Sequence, residues 1–544
     1  MIDACERTVF RRVLDALLRE DHLGLSRNGH LRGGTWCTDT GRARLRLSVR
    51  PDGFQHALRS ADAVVFAAER QVDTLDGLLD LLAPANDSQA EEGWRRFTAE
   101  CHGELLARRL SARTRDRVYG VVAAARRGRH TGMPGALLDE VLAARTDHPV
   151  HPTSRCRNGL TEADLLRYAP EHAPVFALRW LPARRADLTL RGTLPAWWPS
   201  AGDPDTVLLP VHPLTAERLA LPVIDTVRIP VRPTLSTRTV ALANDPYTHL
   251  KLPLPTATLG IRNRRMIAPG TLADGAAMHR LLRRIAASEP RFANRILHAD
   301  ETGYGHADDE ARAFLVRRYP ADLAESTVVP VAALVAEDPN GRTVAERVTG
   351  GAPWPLLAAY LDLLLDWHVF LWLRHGIALE AHQQNIHLVL DPDDGVRLLY
   401  KDNDGARLDR RPDRSDVSLY DSRMWTADPG ELADVFTTIT LHLCAAAPLL
   451  GLARRGVPVP EPGPALRPRL IAARDRWGGD PLFTERVLDA RTLPIKAMLT
   501  AGTLLPKHRI GCADINKYYL RTGPNYLLEP TVSALSGLVS GAAS

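Results

Sequence analysis

The spacing of apolar residues changes twice along the chain, and this change limits the folds that the sequence can adopt. Residues 1–145 carry apolar residues at three-to-four spacing, as in TVFRRVLDALLRE, which is typical of amphipathic helices. Residues 146–345 contain short apolar runs broken by proline and glycine, such as VRIPVRPTLSTRTVALA, which indicate strands. Residues 346–544 return to helical spacing around one hairpin. The pattern predicts an α+β protein with three regions.

Composition excludes several classes of protein. The chain has 544 residues, of which 45% are hydrophobic and 24% charged, with a formal net charge of +5. These values fit a globular protein of two to four lobes, and no lysine or arginine block indicates nucleic-acid binding. The six cysteines are scattered without a CxxC pair, which favours a reducing compartment. With no signal peptide at the start and aspartates within LLAAYLDLLLDWHVFLWL, we expect a cytoplasmic protein without membrane contact.

Lysine is rare in this chain. Only five of the 69 basic residues are lysine, namely Lys251, Lys401, Lys496, Lys507 and Lys517. A compact ammonium suits some phosphate sites better than a planar guanidinium does. Each lysine is therefore a candidate for a specific role.

The first predicted hairpin gathers polar groups at its open end. Alternating apolar residues flank the turn 391–395, and folding about residues 393–394 places Asn385 opposite Asp402. The predicted cluster contains Glu380, His382, Gln384 and Asn385 at the entrance, and Lys401 and Asp402 at the exit. Oxygen atoms of Glu380, Asn385 and Asp402 would suit Mg²⁺ held with nucleotide phosphates. The alternative is an ordinary hairpin with solvated ends.

The second predicted hairpin turns at residues 243–246 and places Thr239 opposite Lys251. Ser236, Arg238, Thr239 and Lys251 would together provide hydroxyl and cationic groups for a triphosphate. The alternative is that Ser236 and Thr239 only reflect strand composition, while both cations are solvated.

The segment DHPVHPTSRCRNG reads as extended because each proline disfavours a helical predecessor. His148 and His151 lack a third ligand at a spacing suited to zinc. Arg155 and Arg157 would suit phosphate, and an ordinary surface loop is the alternative.

In this order, the segments resemble the IucA/IucC family of siderophore synthetases that act independently of non-ribosomal peptide synthetases. The early HPxHPxxKxRxG motif of the family is similar to residues 148–159, and its PVHP segment to residues 210–213. The remaining motifs are similar to Ser236, Arg238, Thr239 and Lys251, to Thr258 and Arg262, to Glu380, His382, Gln384 and Asn385, and to Lys401 and Asp402. The chain departs from the family pattern at Arg155, Leu214, Thr215 and Lys401.

The resemblance implies a hand-like fold with mixed antiparallel sheets and helices: a helical thumb at 1–145, fingers that bind nucleotide and acid at 146–345, and a palm at 346–544. It implies adenylation of a small polar carboxylic acid such as citrate, followed by condensation with an amine or alcohol, and it is compatible with a homodimer. The implied ATP-binding residues are His151, Thr153, Arg155, Ser236, Arg238, Thr239, Lys251 and Asn385. The implied acid-binding residues are Thr258, Arg262, His382 and Gln384, of which Arg262 and His382 would act in catalysis. The implied Mg²⁺ ligands are Glu380, Asn385 and Asp402.

Two other functions remain open at this stage. A small-molecule kinase would place an aspartate base just after His382, but Gln383 and Gln384 stand there and amides do not accept a proton. A nucleotide-binding protein without catalysis is the third alternative.

Overall fold

The structure, a computed structural model, describes residues 3–128, 130–225, 227–391, 395–410, 417–512 and 514–528. Residues 392–394, which the sequence analysis placed in a turn, lie outside the described residues. Helices and mostly antiparallel sheets alternate along the chain, which confirms the predicted α+β class.

The first region contains more strand than its sequence predicted. Its helices are α1 (Ala4–Arg19), α2 (Leu75–Leu81), α3 (Ser88–Arg113), α4 (Arg115–Ala125) and α5 (Gly132–Ala144). Its strands are β1 (His30–Arg32), β2 (Thr35–Asp39), β3 (Arg44–Pro51), β4 (Leu58–Ser60), β5 (Val65–Ala67) and β6 (Arg70–Val72). In β3, Leu45 and Leu47 are buried between exposed arginines, a two-residue period that marks a strand. Residues 1–145 were expected to be mainly helical, and the β1–β6 stretch departs from that expectation.

Helix α1 begins at an aspartate cap. The side chain of Asp3 accepts a hydrogen bond from the backbone N–H of Glu6 at 2.8 Å, which satisfies a donor at the helix start. Phe10, Leu14 and Leu17 are buried on one face. The opposite face carries arginines, so α1 is amphipathic as predicted.

The middle of the chain contains a large sheet. Its helices are α6 (Glu162–Tyr168), α7 (Pro213–Arg218), α8 (Pro269–Ser288) and α9 (Val344–Val348). Its strands are β7 (Phe176–Ala177), β8 (Arg179–Arg184), β9 (Thr189–Arg191), β10 (Thr206–Val211), β11 (Pro230–Pro233), β12 (Thr239–Leu242), β13 (Thr248–Lys251), β14 (Leu254–Ala257), β15 (Arg264–Arg265), β16 (Ile296–His298), β17 (Asp300–His306), β18 (Ala313–Arg318) and β19 (Thr327–Pro330). Seven of them pair in the order β7-β11-β12-β13-β18-β17-β9, and every pair is antiparallel.

The last region packs helices against a smaller sheet. Its helices are α10 (Pro353–His375), α11 (Pro429–Val435), α12 (Ala447–Ala453), α13 (Pro462–Trp477), α14 (Pro481–Phe483) and α15 (Lys507–Ile510). Its strands are β20 (Ile377–Ala378), β21 (Ile386–Asp391), β22 (Gly395–Tyr400), β23 (Arg407–Asp409), β24 (Trp425–Thr426), β25 (Thr492–Lys496) and β26 (Tyr519–Pro524). The hairpin β21–β22 lies in a sheet of order β16-β22-β21-β19, so strands from both sides of residue 345 share one sheet. The region boundaries at 145 and 345 stay predictions.

Two apolar helical stretches have the length and composition of a membrane span. They are Pro353–His375 and Pro429–Ala453, and the latter includes the π-helical segment Phe436–Ala446. Their most apolar windows are 72% and 89% buried within the protein, respectively. Both therefore act as core helices here, as predicted for the first of them.

The two predicted hairpins differ in how well their register was predicted. Thr239 pairs with Lys251, which confirms the register of β12 and β13. In the other hairpin, Ile386 pairs with Tyr400, and the N–H of Lys401 donates to the carbonyl of Asn385 at 3.0 Å. The predicted pairing of Asn385 with Asp402 was therefore wrong by one residue. The reason is the loop, since Asp391 pairs with Gly395 and encloses three residues rather than two.

Candidate functional site

Lys251 joins the large sheet to the hairpin β21–β22. It lies at the end of β13 and is 5% exposed. Its Nζ lies 2.6 Å from Asp402 Oδ1 and 3.2 Å from Asp404 Oδ2. The two hairpins meet at this contact. Asp404 was missed, although it follows Asp402 by only two residues.

Asp402 and Asp404, called the acidic pair below, lie next to a buried ion pair formed by Glu301 and Arg317. Glu301 accepts hydrogen bonds from Arg317 Nε at 2.6 Å and from the backbone N–H of Asp402 at 2.9 Å. Asp402 adopts a φ of +68°, an unusual backbone conformation for a non-glycine residue. Glu301 and Arg317 are both buried, so each needs the opposite charge of the other. No motif in the sequence pointed to either residue.

The two carboxylates of the site do not titrate alike. Burial acts to raise the pKa of Asp402, but Lys251, Arg317 and Arg238 lower it well below its usual range. The negative charge of Asp402 raises the pKa of Asp404, and the positive charge of Lys251 partly opposes this increase. The pair therefore forms one coupled acidic centre surrounded by cations.

Two arginines add positive charge near Asp402 and Asp404. Arg238 donates from Nη1 to the carbonyl of Met266 at 2.8 Å. Arg265 donates from Nε to the hydroxyl of Thr258 at 2.6 Å. Burial and the charge of Arg238 lower the pKa of Arg265 to about 9, while Asp402 and Asp404 oppose the shift. Arg265 is a site candidate that the sequence analysis did not select from the run IRNRR.

The loop before β12 forms a tight turn. The Ser236 hydroxyl accepts a hydrogen bond from the N–H of Thr239 at 3.1 Å, and Thr237 adopts a φ of +65°. Thr239 is buried directly opposite Lys251, so both side chains lie on the same face of the sheet. The structure thus brings Ser236, Arg238, Thr239 and Lys251 together, as the sequence predicted.

Glu380 is engaged by two lysines rather than being open to a metal. Its Oε1 lies 2.8 Å from Lys496 Nζ, and its Oε2 accepts a hydrogen bond from Lys517. Burial acts to raise the pKa of Glu380, but the two ammonium groups lower it well below its usual range. Both oxygen atoms of Glu380 bind cations in this structure, and its role as a metal ligand stays a prediction. Lys517 was not selected by any motif.

His382 follows Glu380 and lies in the same polar cluster. Burial, only partly offset by the charge of Glu380, lowers the pKa of His382 to about 4, so the ring is neutral at pH 7. The N–H of Asn385 donates to the carbonyl of His382 at 2.7 Å, which closes a turn that also contains half-buried Gln384. The neutral ring can donate or accept one hydrogen bond at each nitrogen, depending on its tautomer.

Three residues predicted to bind ATP are buried or engaged by nearby carboxylates. Arg155 pairs with Asp147, with Nε at 3.1 Å from Oδ1. Thr153 donates to Glu100 at 3.3 Å, and His151 is completely buried. The prediction that these side chains contact ATP is not supported by their contacts, because local carboxylates already satisfy Arg155 and Thr153.

Arg262 and Lys401 also make contacts that the sequence did not indicate. Arg262 donates from Nη1 to the carbonyl of Ala501 at 3.2 Å, while Thr258 binds Arg265. Binding of the acid by Thr258 and Arg262 stays a prediction. Lys401 lies 2.6 Å from the buried carboxylate of Glu140. The one-residue register difference places Lys401, rather than Asp402, opposite Asn385.

The described side chains do not form a complete metal site by themselves. Within the described ranges, no cluster of three or more histidine, cysteine, aspartate or glutamate side chains could hold a metal ion. Any cation at Asp402 and Asp404 would therefore need further ligands from a bound molecule or water.

Comparison with known families gives two matches. Residues 142–336 match the IucA/IucC family. Residues 355–508 match a family described as ferric iron reductase FhuF-like transporter. The first match contains Lys251 and Arg265, and the second contains Glu380, Asp402 and Lys496.

Curated relatives align over part of their length. The chain is 29% identical over 189 residues to staphyloferrin A synthase of Staphylococcus aureus, covering 32% of this chain and 31% of that protein. It is 27% identical over 406 residues to the rhizobactin siderophore biosynthesis protein RhbC of Rhizobium meliloti, covering 64% of this chain and 63% of that protein. The chain thus spans less than two thirds of the length of either relative.

Solved structures show the same fold over nearly the whole chain. The ATP-bound aerobactin synthetase IucA of Klebsiella pneumoniae superposes with a TM-score of 0.73 at 17% identity, covering 96% of this chain and 100% of the other. The petrobactin biosynthesis protein AsbB of Bacillus anthracis superposes with a TM-score of 0.72 at 15% identity, covering 96% and 95%. The fold is that of the siderophore synthetases that act independently of non-ribosomal peptide synthetases. The chain is thus similar to the IucA/IucC family over residues 142–336 and shares its fold with the synthetases named above.

Proposed function

We propose that this protein is an ATP-dependent, AMP-forming ligase that adenylates a small polar carboxylic acid, such as citrate, and condenses it with an amine or alcohol. The family and its siderophore-producing relatives support the class of reaction. The ATP-bound state of the structural neighbour IucA supports the choice of nucleotide.

The contact of Lys251 with Asp402 carries the proposal. It places one ammonium at the junction of two sheets, with Arg238 and Arg265 near the same acids. Attack of a carboxylate on a triphosphate requires two anions to approach each other. Fixed cations that neutralise phosphate charge lower this barrier without any covalent nucleophile.

The proposed reaction has two steps. A carboxylate oxygen of the acid attacks the α-phosphorus, the α–β bridging P–O bond breaks, and pyrophosphate leaves. The amine or alcohol then attacks the acyl carbon, the bond to the AMP oxygen breaks, and the nucleophile loses its proton. We propose that His382, neutral at pH 7, accepts that proton or orients the acid.

Mg²⁺ fits the acidic pair rather than Glu380. Asp402 and Asp404 offer carboxylate oxygens beside Lys251. Asn385, directly before the first strand of the same hairpin, offers an amide oxygen. Mg²⁺ commonly takes one or two carboxylates and completes its shell with phosphates and water. When bound, it would neutralise phosphate charge. Glu380 would instead orient Lys496 and Lys517.

Exchange of labelled pyrophosphate into ATP tests the proposal. With a panel of carboxylic acids, we expect exchange that depends on a di- or tricarboxylate and is absent with fatty acids. Release of ADP in place of AMP would indicate the kinase alternative. Binding of ATP without exchange for any acid would indicate a protein without catalysis.

The metal assignment has its own test. Asp402→Asn and Asp404→Asn should each raise the Mg²⁺ concentration needed for half-maximal exchange, because each removes one ligand charge. Asp187→Asn, which changes a half-exposed surface aspartate, is the matched control. Equal Mg²⁺ dependence of Asp402→Asn and the control would refute the assignment.

A further inference from the structure

A cavity lies apart from the residues that we propose for adenylation. It has a volume of about 540 Å³ and is bounded by α1, the β3–β4 hairpin, residues 147–150 and the end of α12. Lys251, Asp402, Glu380 and His382 do not line it. Cavities of 300–1,000 Å³ are typical of small-molecule sites.

The lining of this cavity has an excess of positive charge. It contains six arginines, Arg7, Arg11, Arg12, Arg19, Arg59 and Arg454, against four aspartates, Asp15, Asp52, Asp62 and Asp147. Two positive charges therefore remain after the four aspartates are counted, and two of these aspartates also bind groups outside this set of arginines. Asp147 is shared with Arg108 and Arg155, which lie outside the lining, and Asp15 accepts hydrogen bonds from Ser60.

Buried guanidinium donors point to a missing partner. Arg19 is 6% exposed, and its Nε has no hydrogen-bond partner among the described residues. The Nε atoms of Arg11 and Arg12 are also buried without a hydrogen-bond partner among the described residues, whereas Arg59 Nε pairs with Asp52 at 3.4 Å. Burial lowers the pKa values of Arg12 and Arg19 despite nearby carboxylates. Native proteins leave few buried donors unsatisfied, so a cluster of them calls for a ligand.

We propose that this cavity binds a small anion that carries two or more carboxylate or phosphate groups. Guanidinium groups bind both oxyanions through paired hydrogen bonds, and several around one cavity favour a multivalent anion over a monovalent one. The site is separate from the adenylation site and does not depend on the function proposed above.

One segment separates the cavity from the adenylation site. Arg12 donates from Nη2 to the carbonyls of His148, at 2.8 Å, and His151. His148 interacts electrostatically with Arg12 on one side and with His382 on the other. An anion that draws Arg12 toward the cavity would therefore act on the segment that faces His382.

Hydrogen–deuterium exchange of the full-length protein, titrated with citrate or pyrophosphate at low ionic strength, tests this proposal. We expect either anion to protect peptides covering Ala4–Arg19 and residues 52–63 with saturable concentration dependence. Arg11→Gln should raise the half-saturating concentration by about tenfold, as for the loss of one charge-assisted hydrogen bond. Arg95→Gln, which changes an exposed arginine on α3 outside the lining, should leave it unchanged.

The two anions distinguish the source of the ligand. Protection by citrate alone indicates a polycarboxylate, and protection by pyrophosphate alone indicates a phosphate compound. Should Arg11→Gln fail to fold, Arg454→Gln removes a 38%-exposed guanidinium from the other wall of the cavity and should have the same effect. Absence of protection by both anions at millimolar concentration, or equal affinities of the cavity variants and Arg95→Gln, would overturn the proposal.

Discussion

The hydroxyl of Thr258 accepts a hydrogen bond from Arg265, not from Arg262, with 2.6 Å between Oγ1 and Nε. Arg265 thereby lies with Arg238 beside the acidic pair, whereas Arg262 contacts the carbonyl of Ala501. The two arginines of this segment are therefore expected to serve different substrates.

Separate alanine variants test this division. Arg265→Ala should raise the KM for ATP, because a cation beside Asp402 and Asp404 is lost. Arg262→Ala should raise the KM for the acid by roughly 10- to 100-fold, as for a lost charged hydrogen bond, and leave the KM for ATP nearly unchanged. Steady-state kinetics with each substrate varied in turn gives both constants. A raised KM for ATP in Arg262→Ala, with the acid unaffected, would reverse the two assignments.

Lys251 should not tolerate arginine. The ammonium is buried between Asp402 and Asp404, and a guanidinium is larger and planar, so Lys251→Arg keeps the charge but not the geometry. We expect a loss of kcat/KM of at least about tenfold, equivalent to roughly 1.4 kcal/mol. Lys507→Arg, at an exposed lysine of α15, is the matched control. Wild-type activity of Lys251→Arg would show that this lysine has no specific role.

The pair of lysines on Glu380 predicts a large effect on stability. Glu380→Gln keeps the shape but leaves Lys496 and Lys517 close together without a counter-charge, which should destabilise the protein by about 3 kcal/mol. Adding Lys517→Met should restore part of the loss, since it removes one unpaired charge. Denaturant unfolding measures both changes.

The surface variant Glu431→Gln provides the control for Glu380→Gln. Glu431 pairs with Arg407 at 3.1 Å but is 48% exposed, so its loss should cost less than about 1 kcal/mol. Equal effects of the two substitutions would mean that the Glu380 pair adds nothing beyond an ordinary surface contact.

Buried histidines should make the protein sensitive to acid. Burial lowers the pKa values of His212, His249 and His368 to about 3, against about 6.5 in an unfolded chain. Between these values the unfolded state binds more protons, so stability should fall as pH decreases below about 6.5. Glu100, whose pKa burial raises to about 7, acts oppositely and loses its contribution as pH rises toward 7.

One cap residue isolates this effect. His212 accepts a hydrogen bond from the N–H of Leu214 at 3.1 Å at the start of α7, and asparagine can fill the same capping role. His212→Asn should therefore flatten the dependence of unfolding free energy on pH between 6.5 and about 3. Urea unfolding at several pH values gives this slope, and an unchanged slope would show that His212 does not titrate on unfolding.

Local sequence signals predicted one half of the site well. The position of the proline-containing turn between two short strand-like runs was sufficient to pair Thr239 with Lys251. The scarcity of lysine was also informative, since Lys251, Lys401, Lys496 and Lys517 all pair with carboxylates whereas Lys507 is exposed. These signals depend on short stretches of chain, which sequence periodicity captures.

The rest of the site depended on contacts that sequence spacing does not encode. Residues 262 and 265 lie in one arginine-rich run, and only tertiary packing decides which of them reaches Thr258. Lys517 meets Glu380 across 137 residues. A three-residue loop instead of a two-residue turn was enough to place Lys401, rather than Asp402, opposite Asn385.

Transfer of oxygen from the acid to AMP tests the central proposal most directly. An acid whose carboxylates carry ¹⁸O would be incubated with ATP, Mg²⁺ and an amine, and the released nucleotide analysed by mass spectrometry. If the carboxylate attacks the α-phosphorus and the acyl–oxygen bond is later broken by the amine, AMP retains one ¹⁸O atom. Recovery of ¹⁸O in inorganic phosphate, with ADP as the nucleotide product, would contradict adenylation.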